Sequence, residues 1–167
     1  QLHKLDDYPY GNLRLTTATT ILALNINYLP EFIKWKLNDD WKLLNKYPAG
    51  AGMLDLHLAY WPPQLNCKVL PQWFKKDVTD KFEDFYPWLE KNWKKCNGVD
   101  NLAFSEWRKL PYGIKRLEGL ISFMNSEDWS ERLPETAEWC FTIAKTRNLN
   151  FIETFPDLEW LEWYVTD

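Results

Sequence analysis

The spacing of the apolar residues changes near Pro71, and this change limits the folds that the chain can adopt. Before Pro71, short segments such as Leu13–Thr17 and Leu54–Tyr60 alternate apolar and polar residues with the period of a β-strand. After it, apolar residues recur every three or four positions, which is typical of helices packed on one face. The sequence therefore predicts a single domain, with an α/β part over residues 1–71 and a helical part over residues 72–167.

The α/β part is predicted to hold two or three strands and one helix. The predicted strands are Leu13–Leu22, Leu54–Tyr60 and Leu65–Leu70, and the helix spans Tyr28–Leu37 with Pro30 in its first turn. Because a helix separates the first strand from the later ones, we expect parallel pairing. So few strands do not close a barrel, and the expected sheet is partial, open and barrel-like.

The helical part is divided by prolines and capping residues. Pro71 can begin a helix that runs through Phe85, and Pro87 then either kinks this helix or begins a new one ending at Lys95. Further helices are predicted around Trp107–Leu110, along the apolar stripe Ile114–Met124, and over Pro134–Thr146 and Asp157–Tyr164. The fold class expected from the whole pattern is therefore α/β to mainly α.

Aromatic residues make up 17% of the chain and include 11 Trp. So many large apolar side chains exclude a disordered chain. Helical spacing predicts core positions for four of the Trp residues, Trp73, Trp88, Trp107 and Trp139. Trp41 and Trp61 are expected in loops, since Trp61 precedes two prolines, and they are the candidates for a ligand or partner surface.

The charge balance excludes a general nucleic-acid binder. The net charge is −4 and the pI is about 5.3, whereas such proteins usually carry a basic excess. The basic pairs are interpreted as solvated helix surface; they are Lys75–Lys76, Lys94–Lys95 and Lys115–Arg116. No apolar run approaches the roughly 20 residues that span a bilayer, and no signal-peptide pattern opens the sequence. We expect a soluble cytoplasmic protein without nucleic-acid or membrane partners.

Two features of the sequence concern processing and metal binding. The first residue is Gln rather than Met, so the chain is also compatible with processing or with a fragment of a longer protein. The three cysteines, Cys67, Cys96 and Cys140, are widely spaced, which favours reduced thiols and no metal site. Cys67 and Cys140 lie in apolar segments and are expected to be buried.

Two groups of polar residues are candidates for acid–base chemistry. Asp55 and His57 lie on one face of the strand predicted over 54–60, where the carboxylate could orient the imidazole, as in a small hydrolase. The favoured alternative is a partly exposed polar face. Four carboxylates lie near the C-terminus, at Glu153, Asp157, Glu159 and Glu162. Paired carboxylates can act as acid and base, but a solvated acidic helix face is the favoured interpretation.

Three segments carry a family resemblance. In Leu13–Trp35 a Thr-rich strand runs to Asn25 and is followed by a helix with Glu-Phe-x-x-Trp. Leu65–Pro71 ends in Val-Leu-Pro, and Arg147–Leu158 ends in Phe-x-x-x-Phe-Pro-Asp-Leu. These segments resemble, in turn, a late strand–loop–helix unit of radical S-adenosylmethionine domains, their final strand, and the closing segment of their twitch-type branch. Members of that branch are often found in phages and environmental bacteria.

The resemblance implies an incomplete cofactor site. Asn25 would lie near the methionine end of S-adenosylmethionine, and Val69 and Leu70 near its adenine. The family's C-x-x-x-C-x-x-C, which binds a [4Fe–4S] cluster, is absent from this sequence, as are the early strands that carry it. No cofactor is therefore expected on this chain alone, and both groups would require a missing N-terminal half.

Three functional hypotheses remain open from the sequence. The first is the C-terminal part of a twitch-type radical S-adenosylmethionine protein that is not catalytic by itself. The second is a non-enzymatic interaction module, which would self-associate or bind a partner over an open sheet edge. The third is a small hydrolase-like enzyme that uses Asp55 and His57.

Overall fold

Helices dominate the structure. The computed structural model describes residues 18–36, 56–96 and 110–165. Its α-helices are α1 (Leu29–Lys36), α2 (Gln72–Cys96), α3 (Leu110–Asn125), α4 (Leu133–Thr146) and α5 (Phe151–Thr154). Short 3-10 helices cover Ile26–Tyr28, Pro63–Leu65, Cys67–Val69, Ser130–Arg132 and Pro156–Tyr164. The expectation of a mainly helical chain with a small partial sheet is confirmed.

Two short strands form a parallel sheet. β1 (Thr19–Ile21) pairs with β2 (Leu56–Leu58), so that the first residues of the two strands are opposite each other and the last residues likewise. Parallel strands need a crossover connection, and α1 lies between them in the chain. The predicted parallel pairing is confirmed, and within the described ranges no further strand joins the sheet.

The third strand, predicted over Leu65–Leu70, is wrong. This segment forms two short 3-10 helices on either side of Asn66. The Asn66 Oδ1 accepts the backbone N–H of Lys68 at 3.0 Å, and its Nδ2 donates to the carbonyl of Ala59 at 3.1 Å. An Asn side chain that bonds the local backbone favours a turn over a strand ladder. The alternation of polar and apolar residues was misleading, because every residue of the segment is buried.

Pro87 lies inside α2 without ending it, so the alternative of a separate helix starting there is wrong. A proline in a helix interior costs about 3 kcal/mol, since it removes one backbone hydrogen bond. The apolar stripe of α2 continues past it, and the buried members of this stripe are Phe74, Val78, Phe82, Phe85 and Leu89. Burial of this stripe on both sides of Pro87 offsets the local cost.

The tryptophans are less buried than their spacing predicted. Trp73 is 47% exposed, so its assignment to the core is wrong. It is the second residue of α2 and directly precedes Phe74, which takes the core position instead. Trp88 and Trp139 are half-buried and pack against the core, whereas Trp107 lies outside the described residues.

The C-terminal segment is anchored to the turn after β1. The Asn27 Nδ2 donates to the Asp157 carboxylate at 2.6 Å, and Asn27 is nearly buried. The backbone N–H of Asp157 donates to the Tyr28 hydroxyl at 3.2 Å, and the Tyr28 and Phe155 rings lie 6.2 Å apart. Residues 130 positions apart in the chain are thereby held together.

We expect Asn27→Ala to lower the free energy of unfolding by about 2 kcal/mol, because it removes a hydrogen bond to a charged group. Asp157→Asn should lose less, since its amide oxygen still accepts from Asn27. Urea titration followed by tryptophan fluorescence measures both values. Glu159→Gln is the surface control, and an Asn27→Ala loss no larger than that of the control would contradict the anchoring role.

Candidate functional site at the carboxyl edge of the sheet

The carboxyl ends of β1 and β2 lie at the same edge of the sheet because the strands are parallel. Ile21 ends β1, Leu58 ends β2, and the N–H of Ala59 donates to the carbonyl of Ile21 at 3.0 Å. The segments that leave this edge are 22–25 and 59–62. In open parallel sheets ligands bind outside the carboxyl ends of the strands, so this edge is the candidate functional site.

Asn25 is the polar residue that follows β1. Its Oδ1 accepts the N–H of Leu22 at 2.8 Å, and its Nδ2 donates to the carbonyl of Thr20 at 2.9 Å. An Asn amide has two N–H groups and two lone pairs. The half-buried Asn25 side chain therefore orients the turn and retains one donor and one acceptor position for a ligand.

The segment that contains Val69 and Leu70 lies beside this turn. The N–H of Ala23 donates to the carbonyl of Leu65 at 2.8 Å, which connects the two segments. The side chains of Val69 and Leu70 are fully buried and contribute to the core rather than to an exposed surface.

Tyr60 and Trp61 follow β2 and are exposed, at 65% and 80%. The Tyr60 ring meets the ring of Phe123 edge to face, with 5.4 Å between the centroids. The Trp61–Pro62 peptide bond is cis. The exposure expected for Trp61 is confirmed, and the two rings give the carboxyl edge an apolar surface.

The remaining sequence candidates are located only in part. His57 lies in the middle of β2, opposite Thr20 in the ladder, and is exposed. Asp55 and Trp41 lie outside the described residues. The Asp55–His57 pair and the Trp41 surface therefore stay predictions.

Two buried lysines form a cluster that the sequence interpretation missed. Lys75 is only 1% exposed, so its assignment to a solvated surface is wrong, whereas Lys76 is exposed and pairs with Asp80. Lys75 lies three residues before Val78, in register with the buried stripe of α2. The position of Lys75 on the apolar face of the helix indicates burial. Its charge led to the opposite assignment, because lysine side chains are usually exposed.

The ammonium groups of both lysines bind Glu127, in the connection between α3 and α4. The Lys75 Nζ donates to the Glu127 carbonyl at 2.8 Å, and the Lys68 Nζ forms an ion pair with the Glu127 carboxylate. The Lys68 Nζ also lies 4.5 Å from the ring centroid of Phe123 and 5.1 Å from that of Trp129. Cations over aromatic faces are stabilised by the ring quadrupole.

The lysine cluster is structural. Burial lowers the pKa of Lys75, and the nearby Asp128 carboxylate opposes this shift in part. Lys68 and Lys75 are both buried and bonded to Glu127, so neither presents its ammonium to a ligand. The cluster instead ties the α3–α4 connection to the 3-10 helices that precede α2.

The two described cysteine side chains are buried free thiols, as expected. Burial raises the pKa of Cys67 to about 11 and that of Cys140 to about 12. Protonated thiols are poor nucleophiles and poor metal ligands. Among the described residues, no three His, Cys, Asp or Glu side chains are grouped so that they could hold a metal ion.

Comparisons with models of known protein families, with curated proteins and with solved structures found no match. No helix in the described ranges combines the length and apolar character needed to cross a membrane.

We expect the protein to lose stability between about pH 9 and pH 11. The pKa of Cys67 rises from 9.0 to about 11 on folding, so its stabilising contribution is complete below pH 9 and is lost as the pH rises through 11. The lowered pKa of Lys75 acts with the opposite sign as the pH approaches 10.5. Its contribution is common to wild type and Cys67→Ala.

Urea titrations of both proteins under reducing conditions measure the effect. Over this pH range wild type should lose about 2 kcal/mol more than Cys67→Ala. Cys140→Ala should also make the free energy of unfolding fall less steeply with pH, because burial raises the Cys140 pKa as well. Parallel pH curves for all three proteins would contradict the assignment.

Proposed function

We propose that this chain is the C-terminal part of a twitch-type radical S-adenosylmethionine protein and is not catalytic by itself. The observation that supports the proposal is the parallel pairing of β1 and β2, with Asn25 in the turn that follows β1 at their shared carboxyl edge. Enzymes built on parallel barrels place their active sites at this edge. The position of Asn25 agrees with the role that the resemblance implies for it.

In this proposal the chain supplies one wall of a cofactor site. The free donor and acceptor of the Asn25 amide are suited to the carboxylate and amine of a methionine group. The segment with Val69 and Leu70 is connected to the same turn through the Ala23–Leu65 hydrogen bond. The side chains of Val69 and Leu70 are buried. In this proposal they would stabilise the part of the chain that lies near the adenine without contacting the adenine themselves.

The rest of the site would come from a cluster-binding half outside this sequence. Two strands cannot enclose a ligand, because a barrel needs many more. A [4Fe–4S] cluster needs closely spaced thiolates, and this sequence has no such set. The free, buried Cys67 and Cys140 suit a reducing, cytoplasmic setting.

Anaerobic reconstitution with iron and sulfide tests the proposal. The chain alone should take up no stoichiometric iron. When it is produced with the product of an adjacent or in-frame reading frame that encodes C-x-x-x-C-x-x-C, the complex should bind a four-iron cluster and S-adenosylmethionine. Asn25→Ala should weaken S-adenosylmethionine binding by the complex about tenfold without changing its iron content.

Two results would contradict this proposal. One is a four-iron spectrum from the chain alone. The other is a gene neighbourhood without such a reading frame. His57→Ala is the control variant, since His57 is exposed on β2 before the edge and should leave S-adenosylmethionine binding by the complex unchanged.

The exposed rings of Tyr60 and Trp61 favour a second candidate, a non-enzymatic interaction module. Exposed aromatic side chains next to an open sheet are typical of surfaces that another chain covers. The occupant would be a second copy of this chain or a partner over the sheet edge. A negative overall charge supports neither nucleic acid nor an anionic membrane surface as that partner.

Size-exclusion chromatography with light scattering distinguishes the two candidates at micromolar concentration. The interaction module predicts a dimer or larger species that Trp61→Ala converts to monomer, because the substitution removes the most exposed ring at the edge. Trp163→Ala is the matched control, since Trp163 is equally exposed but lies in the C-terminal 3-10 helix. A monomeric wild type counts against self-association.

A further inference from the structure

The C-terminal 3-10 helix contains a sequence repeat that neither proposed function uses. Residues 158–163 read Leu-Glu-Trp-Leu-Glu-Trp, a three-residue unit that occurs twice. In a 3-10 helix, residues three apart lie on the same face. The backbone kinks at Leu158, inside the segment Pro156–Tyr164. Beyond the kink the spacing of three sets the glutamates of the repeat in one row and its tryptophans in another, and the two leucines form the buried row.

The three rows have different surroundings. Leu158 and Leu161 are buried, on a helix that packs against α4 and α5. Glu159 and Glu162 are exposed. The two tryptophans differ in exposure. Trp160 is buried in the core, and Trp163, one turn later, is 77% exposed.

A third ring extends the tryptophan row. Trp73, at the start of α2, meets Trp160 edge to face with 5.3 Å between the centroids. Trp160 is buried, and its Nε1 donates to the Asp157 carbonyl at 3.0 Å, so its ring is fixed. We call Trp73, Trp160 and Trp163 the tryptophan surface. Trp73 and Trp163 are exposed, whereas Trp160 is buried.

The charge of the C-terminal segment that contains Trp160 and Trp163 is strongly one-sided. Residues 148–167 contain five Asp and Glu residues and no Lys, Arg or His. The other 147 residues carry 20 basic and 19 acidic residues, so the negative charge of the protein originates in this segment. Neither Glu159 nor Glu162 forms an ion pair with a described residue.

We propose that the tryptophan surface binds an arginine-bearing basic segment of another protein. A guanidinium group stacks on an indole face and donates paired hydrogen bonds to a carboxylate. Trp163 supplies an exposed indole, and Glu159 and Glu162 supply the carboxylates in the neighbouring row. This inference is independent of the proposed cofactor site, because it uses none of the residues at the sheet edge.

The charge pattern selects this occupant over a second copy of the chain. A symmetric dimer places the same patch of both subunits together. Such an interface here would oppose two segments that each carry five acidic residues. Like charges across an interface are unfavourable, whereas a basic segment neutralises them.

Titration of the ¹⁵N-labelled chain with a capped hexa-arginine peptide tests this proposal. The indole N–H signals of Trp163 and Trp73 should shift, and that of Trp61 should not. Trp163→Ala should weaken binding about tenfold, since an aromatic anchor is removed. The double variant Glu159→Gln/Glu162→Gln should weaken binding and reduce its dependence on salt.

Trp61→Ala is the matched control, because it removes an equally exposed indole from the sheet edge. It should bind hexa-arginine as wild type does. Trp163→Phe keeps a ring and should retain part of the affinity. The proposal is overturned by equal shifts at Trp61 and Trp163, by unchanged binding of Trp163→Ala, or by concentration-dependent dimers that Trp163→Ala abolishes.

Discussion

The buried amide of Asn66 is the interaction on which the arrangement of the α/β part depends. It bonds the carbonyl of Ala59 after β2 and the N–H of Lys68 before α2. The neighbouring carbonyl of Leu65 accepts from Ala23 after β1. A two-stranded sheet leaves most of its backbone groups unpaired, and unpaired buried groups are costly. Asn66 and Leu65 pair backbone groups of Ala23, Ala59 and Lys68, which lie in the segments that follow the two strands and precede α2.

The same segment also organises the helical part through charge. Lys68 and Lys75 converge on Glu127, so the α3–α4 connection is held against the start of α2. Isolated buried cations would be unfavourable, but these two are compensated by a carboxylate, a carbonyl and two aromatic faces. Lysines that look like surface residues in the sequence are thus internal connectors.

Helical periodicity predicted most of the fold, and the errors occurred where one side chain changed the local outcome. The stripe of α2 was correctly expected to be buried, because a repeat at three and four residues has one dominant solution. The alternation in Leu65–Leu70 is compatible with a strand or with capped turns. The Asn66 side chain caps a 3-10 helix, which favours the turns. Trp73 lies one residue from the stripe, so spacing alone could not separate it from Phe74. The sequence predicts the exposure of Trp61, and the resemblance suggests Asn25 as a candidate, whereas the Trp73–Trp160 contact depends on folding.

The sequence by itself determined the helical class, the parallel pairing, the burial of Cys67 and Cys140 and the acidic C-terminal segment, because these follow from local periodicity and composition. Only the tertiary structure decided that Lys75 is buried, that Asn27 binds Asp157, and that Trp73 contacts a buried Trp160. Each of these depends on a contact between segments far apart in the chain. Periodicity specifies which face of a helix is apolar. Which other element covers that face, and which of its residues stay exposed, depends on how the core is assembled.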